Sequence, residues 1–221
     1  MKTREELKNL AKADIRNNYC NCVLTFFLCK ALPYALSSSL AYVYLVYGNY
    51  LSFCVFLFVT MPLLVGISGY FLKFGGNEEI SGTYAIENTF NSGYLRKLGG
   101  MAWSLLWTFL WSLLFVIPGI VKWFSYAMTP YILADCPDVE PTEALKISMR
   151  IMDGRKFDLF TLKLSFLLWD ILGVMFFFIP YILWVGPYKH AVYAEYYKDR
   201  MEESIEKGII SEEELRGKSA I

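Results

Sequence analysis

The stretch Trp111–Pro141, WSLLFVIPGIVKWFSYAMTPYILADCPDVEP, constrains the fold more than any other part of the chain. An apolar run reaches Ile117-Pro118-Gly119, turns, and becomes a second apolar run that stops at Asp135-Cys136-Pro137-Asp138. Proline and glycine together punctuate a helical pattern. The pattern predicts a transmembrane hairpin that reverses at Pro118-Gly119.

The rest of the chain repeats that arrangement. It has 221 residues, 56% hydrophobic and 19% charged, against about 45–50% apolar and about 25% charged for a soluble domain. Long stretches carry almost no charge, and the charges cluster between them. About 20 apolar residues cross the hydrocarbon core of a bilayer. The expected spans are about 19–47, 50–74, 100–117, 120–134, 157–178 and 181–197. They make an all-α bundle of six transmembrane helices in three hairpins, over residues 19–200. Pro33 removes a backbone bond and kinks the first span. Gly66, Ser68 and Gly69 let the second approach a neighbour closely. Pro130 interrupts the fourth.

The polar segments carry their own helix signals. Residues 1–18 form an amphipathic cytoplasmic helix opened by a Thr3–Glu6 capping box, with Leu7, Leu10, Ala11 and Ile15 at helical spacing. Its leader is too long, and the apolar run continues too far past Ser39-Leu40-Ala41, for a cleaved signal peptide. A short amphipathic helix fits 83–90 within the loop 75–98. A compact interfacial helix fits 141–152, opened by Pro141 and closed by Gly154. The tail, 201–221, is soluble and cytoplasmic, with a second capping box at Ser211–Glu214.

Topology follows from the charges. The turns at Gly48-Asn49, Pro118-Gly119 and Ile179-Pro180 hold no Lys or Arg, whereas the N-terminal arm, the loop 75–98, the linker 139–156 and the tail hold nearly all of them. Positive charge stays in the cytoplasm, so both termini are expected there. The second and third hairpins share Trp-Ser or Trp-Asp, Ile-Pro and Pro-Tyr marks. These are either a duplication or two similar solutions to one hairpin.

From Ser125 to Tyr197 the chain resembles an uncharacterised bacterial integral membrane family, domain of unknown function 975 (DUF975). SYAMTPYILADCPD (125–138), EALKISMRIMDGRKFDLF (143–160), LSFLLWDIL (164–172) and GPYKHAVYAEYY (186–197) carry the resemblance. IPG (117–119) and TREELKNLAK (3–12) also fit. Cys136 and Arg155 depart from the family pattern, standing where asparagine and histidine are expected. The resemblance implies a six-helix bacterial inner-membrane protein and no activity.

Chemistry is sparse. Five cysteines form no framework, and their positions suit packing. His190 is the single histidine, which excludes multi-histidine metal sites. No catalytic, cofactor or metal motif is present, and an enzyme is not expected. Balanced charge, 21 basic and 21 acidic residues, predicts no nucleic-acid partner. Trp103, Trp107 and Trp111 form one stripe, read as packing or lipid contact rather than a stacking surface. Asp135 and Asp138 either cap the turn before Pro141 or hold a cation. Tyr193, Glu195, Tyr196 and Tyr197 suit an interfacial belt.

Lys30 and Asp170 each lie about eleven residues beyond the cytoplasmic start of a span, roughly 16 Å deep. Ionisable groups at that depth are paired or functional. Three readings stay open: a structural ion pair between them, a pair lining an ion or proton route, or no pairing. Lys146, Arg150, Arg155 and Lys156 are candidate contacts for anionic inner-leaflet headgroups. The partners expected are the bilayer and either another membrane protein or a peptide. Two functions compete: a non-catalytic accessory or partner-binding protein of the envelope, including a peptide-immunity or export helper, and a small transporter or channel component for a lipid, peptide or ion.

Overall fold

A computed structural model describes residues 2–39, 53–74, 80–91, 93–175 and 181–216. These residues are helical, with no strand among them, so the chain is all-α. The expected turns at Gly48-Asn49 and Ile179-Pro180 fall outside the described residues.

α1, Arg4–Asn17, starts with the expected Thr3–Glu6 capping box. Leu7, Ala11 and Ile15 are buried where α1 packs on the last long helix. α2, Tyr19–Ser39, carries Pro33 within it. α3, Phe53–Phe74, has a mean hydropathy of 2.1 and is long and apolar enough to cross a membrane. It is the axis of the fold, packing against α2 and four helices that follow it in the chain. These include α4, Tyr84–Asn91, and α5, Tyr94–Leu114. A Cβ on Gly66 would sit 2.3 Å from the Ala85 carbonyl oxygen of α4, so only glycine permits that crossing.

The chain reverses at Phe115, whose backbone is extended, not at Pro118-Gly119. Pro118 instead lies in the first turn of α6, Val116–Ser125, where a missing N–H leaves no intrahelical bond unmade. α6 folds back along α5: Gly119 meets Ser112, and the Lys122 ammonium lies 5.2 Å from the Trp111 ring centroid. The break expected at Pro130 falls at residues 126–128, with Pro130 in the first turn of α7, Thr129–Asp135. α8, Pro141–Ile151, starts at Pro141 as expected and buries Ala144, Leu145, Ile147, Ser148 and Ile151 against α5 and α7. Gly154, at φ +69°, follows it.

α9, Lys156–Met175, precedes a π-helical segment, Tyr181–Val185, which runs straight into α10, Gly186–Glu206. α10 continues past Tyr197 and buries Met201 and Ser204, so the tail begins as an extension of the bundle. Ile210 is also buried. α11, Glu212–Leu215, has the expected Ser211–Glu214 box.

Two π-helical turns, Phe56–Thr60 in α3 and Tyr181–Val185 before α10, widen the backbone ladder and redirect carbonyls outward. Tyrosines take one in each turn. The Tyr94 hydroxyl donates to the Phe58 carbonyl, and the Tyr19 hydroxyl donates to the Leu183 carbonyl at 2.7 Å.

One surface is apolar and uncovered. At the α5–α6 reversal Leu113 is 75% exposed, Phe115 68% and Ile117 75%. Along α9, Phe157 is 72% and Leu168 73% exposed. Monomeric soluble proteins rarely leave contiguous apolar patches beyond a few hundred Å².

Candidate functional site

Two groups of polar side chains stand out, at different levels of the bundle.

The first is central. Asp170 on α9 does not pair with Lys30. Its Oδ2 accepts from Lys189 on α10 at 2.6 Å. Lys30 on α2 instead lies 5.6 Å from the centroid of the Phe26 ring. That ring also touches His190, at 5.6 Å between centroids, and His190 stacks on Phe71 of α3. Lys163, about two turns before Asp170 on α9, stands 4.2 Å from the Trp123 ring centroid and 5.1 Å from that of Phe124. Asp170 Oδ1, His190 Nδ1 and the Tyr193 hydroxyl are buried without a hydrogen-bond partner among the described residues. Such groups cost free energy unless something satisfies them.

The correct partner of Asp170 had a sequence signal. Asp170 stands nine residues before Ile179 and Lys189 nine residues after Pro180. In an antiparallel helical hairpin, positions equidistant from the turn share a height. Matching the depths of Lys30 and Asp170 on non-adjacent spans missed that nearer neighbour. Lys163 was missed as well.

The second group ties the polar segments together. Arg150 on α8 makes two bonds to the Glu214 carboxylate, at 3.3 and 3.0 Å, and one to the Ile209 carbonyl. Arg150 is the largest cause holding Glu214 below the usual carboxylate range. Arg155 bonds Glu203 at 2.8 Å and Asp158 at 3.4 Å. Glu203 also pairs with Lys207 and Arg200, and its carboxyl lies below its usual range, first through the Lys207 hydrogen bond. Arg200, only 2% exposed, pairs with Asp199. Arg150 and Arg155, expected at lipid headgroups, are therefore committed to acids of the tail and of α10. Lys146 pairs with Glu143 at 2.6 Å and stays exposed, and Lys156 is half-buried at the start of α9. Beside this network a cavity of about 320 Å³ opens between the start of α1, α9 and α10, with Lys2, Arg4, Arg200, Asp158 and Asp199 on its walls.

Asp135 is used by the fold: its Oδ2 accepts from the Tyr197 hydroxyl at 3.0 Å. The turn after α7 is held by Arg96 on α5, which donates to the carbonyls of Leu133 (3.1 Å), Cys136 and Val139 (2.7 Å). Burial draws the Arg96 guanidinium below its usual range and pushes the Cys136 thiol up to about 12. No group of three or more metal-ligating side chains occurs among the described residues. The tyrosines expected in an interfacial belt lie inside: Tyr196 and Tyr197 are buried, and Tyr197 stacks on Tyr131 at 5.5 Å. Trp103 and Trp107 are partly exposed and meet edge to face.

No curated protein and no solved structure matches the chain. Residues 97–204, from α5 into α10, match the family described as "Protein of unknown function (DUF975)". That match holds both halves of the Asp170–Lys189 pair and the Arg155–Glu203 clamp, and across residues 97–204 this chain is similar to the DUF975 family.

Proposed function

We propose that the chain is a non-catalytic, multi-pass protein of the bacterial inner membrane that binds a membrane partner through a rigid base on the cytoplasmic side. The uncovered apolar surface of the α5–α6 reversal and α9 carries this reading. Burying that surface in lipid removes a cost that water would impose, at about 25 cal/mol per Å². The polar end, by contrast, is clamped: α8 to the tail through Arg150, and α9 to α10 through Arg155. A clamped helical base favours a fixed docking surface over a moving catalytic one. In this reading six spans keep both termini in the cytoplasm.

Two measurements test it. Alkaline extraction of membranes should leave the full chain in the pellet. Single cysteines at Ser211 and Ile117, both exposed, in a cysteine-free background, should label from opposite sides. Labelling from one side, or release by alkali, ends the multi-pass reading. In-cell crosslinking from Lys146 then tests for a partner at the base, and no discrete adduct would count against the accessory role.

A transporter component is the second reading. The Asp170–Lys189 pair with its unpartnered Oδ1 favours it, since paired charges at bilayer depth recur in ion and proton routes. Reconstituted vesicles with an imposed proton gradient would reveal a leak that Asp170→Asn abolishes.

A further inference from the structure

The cavity of about 320 Å³ between the start of α1, α9 and α10 has three cations on its wall, Lys2, Arg4 and Arg200, and two carboxylates, Asp158 and Asp199. Both carboxylates are already engaged. Asp158 accepts from Arg155 at 3.4 Å. Asp199 accepts from the Lys2 backbone N–H at 3.0 Å and from Arg200. The Lys2 bond ties the start of α1 to α10, so Lys2 and Arg4 share a wall with Arg200.

Arg200 is the buried member of that wall, only 2% exposed. One terminal nitrogen donates to Asp199, and the other pairs with Glu203. Its Nε–H is buried without an acceptor among the described residues. A buried donor without an acceptor costs more than a made bond contributes.

The N-terminus of α1 opens on the same space, since Thr3 and Arg4 both line it. The capping box satisfies the Thr3 and Glu6 N–H groups. Those of Arg4 and Glu5 have no intrahelical acceptor. They sit at the positive end of the helix dipole, which holds anions.

A guanidinium edge, a helix N-terminus and two flexible cations thus converge from different sides. A carboxylate has two oxygens in one plane. A phosphate group has acceptor oxygens in several directions and a charge of about −1.5 to −2 at neutral pH. Leu7 and Leu162 add an apolar flank. The volume is at the small end of ligand pockets, about 300–1,000 Å³, and suits a phosphate with a small organic group.

We infer that this cavity binds the phosphate of a small ester, either free or as a lipid headgroup. The Arg200 Nε–H and the first turn of α1 donate to its oxygens, and Lys2 and Arg4 neutralise it. The site goes beyond the docking role proposed above and stands without the membrane reading.

The test uses the purified full chain in a phosphate-free maltoside detergent, with glycerol 3-phosphate as the probe. Calorimetry should show saturable binding. The probe should slow phenylglyoxal modification of Arg4 and leave Arg16, exposed at the other end of α1, as reactive as before. Lys2→Gln with Arg4→Gln should weaken binding by about tenfold or more without lowering the melting temperature of the unliganded chain. Lys146→Gln should leave binding unchanged. Arg200→Lys keeps the charge and removes the Nε–H, so affinity should fall there as well. If that variant does not fold, the Lys2/Arg4 variant decides the matter.

Short-chain phosphatidylglycerol added to the same micelles separates the two sources. Protection of Arg4 by glycerol 3-phosphate assigns a soluble ester, and protection by phosphatidylglycerol alone assigns a lipid headgroup. The inference is overturned if neither compound protects Arg4 or if the Lys2/Arg4 variant binds as tightly as the native chain. It is also overturned if Lys146→Gln weakens binding as much as that variant does.

Discussion

Lys189 holds the Asp170 carboxylate by one oxygen: Oδ2 accepts at 2.6 Å, while the buried Oδ1 has no donor among the described residues. Removing the lysine would strand the carboxylate, and a stranded charge costs more than the pair contributes. The side chains are 20% and 31% exposed, so the loss falls below the fully buried limit. Lys189→Ala should lower stability by about 1–3 kcal/mol, measured as thermal melting in detergent. Lys30→Ala should cost clearly less. Exchanging the pair, Asp170→Lys with Lys189→Asp, should recover more than half of the loss. An exchanged variant no more stable than Lys189→Ala would mean that the contact is incidental.

Gly186 begins α10 where α2 crosses it. A Cβ there would lie 2.2 Å from one carbon of the fully buried Phe26 ring and 2.3 Å from another. Neither can move far in a packed interior. Gly186→Ala should therefore destabilise by about 1–3 kcal/mol, and adding Phe26→Leu should restore part of it. If Gly186→Ala melts like the native chain, the two helices are not in close contact.

Features set by residues close together in the chain are legible in the sequence. The Thr3–Glu6 and Ser211–Glu214 boxes and the Pro141 start depend on residues a few positions apart, and all three are where the spacing puts them. The glycine at 66 does bring two helices close. The reversal was misplaced because Pro118 fits the first turn of a helix as readily as it fits a turn, and the extended residue, Phe115, carries no turn signature. The partners of Asp170, Arg150 and Arg155 depend on which helices are neighbours. Only Lys189 had a local cue, its distance from Pro180. The burial of Tyr196 and Tyr197 follows from α10 lying under α1 and α8, which hydropathy alone does not reveal.

Arg96 places three donors on the carbonyls of Leu133, Cys136 and Val139. Its planar fork reaches all three at once, and lysine offers one compact point charge instead. Arg96→Lys should leave at least one carbonyl at the end of α7 without a donor, at about 1–3 kcal/mol. Hydrogen exchange should accelerate across residues 133–139 and remain native in α1. Unchanged protection in that turn would show that Arg96 is not what holds it.

The tail should loosen in acid. Arg150, through its hydrogen bonds, is the largest cause holding the Glu214 carboxyl below its usual value of 4.5. A carboxylate whose value is depressed by folding stabilises the folded chain above the unfolded value. That stabilisation disappears as pH falls through the folded one. Both side chains are partly exposed, so the contribution is small and local. Lowering pH from about 6 to about 3 should free residues 209–216 for exchange or proteolysis before the helices melt. Arg150→Gln should leave that segment equally open at both ends of the range. Glu203 is depressed as well, but its partners lie on α10 and beside α9, so its protonation loosens a different junction. A tail that opens with the same pH dependence in Arg150→Gln as in the native chain would reassign the acid response to Glu203.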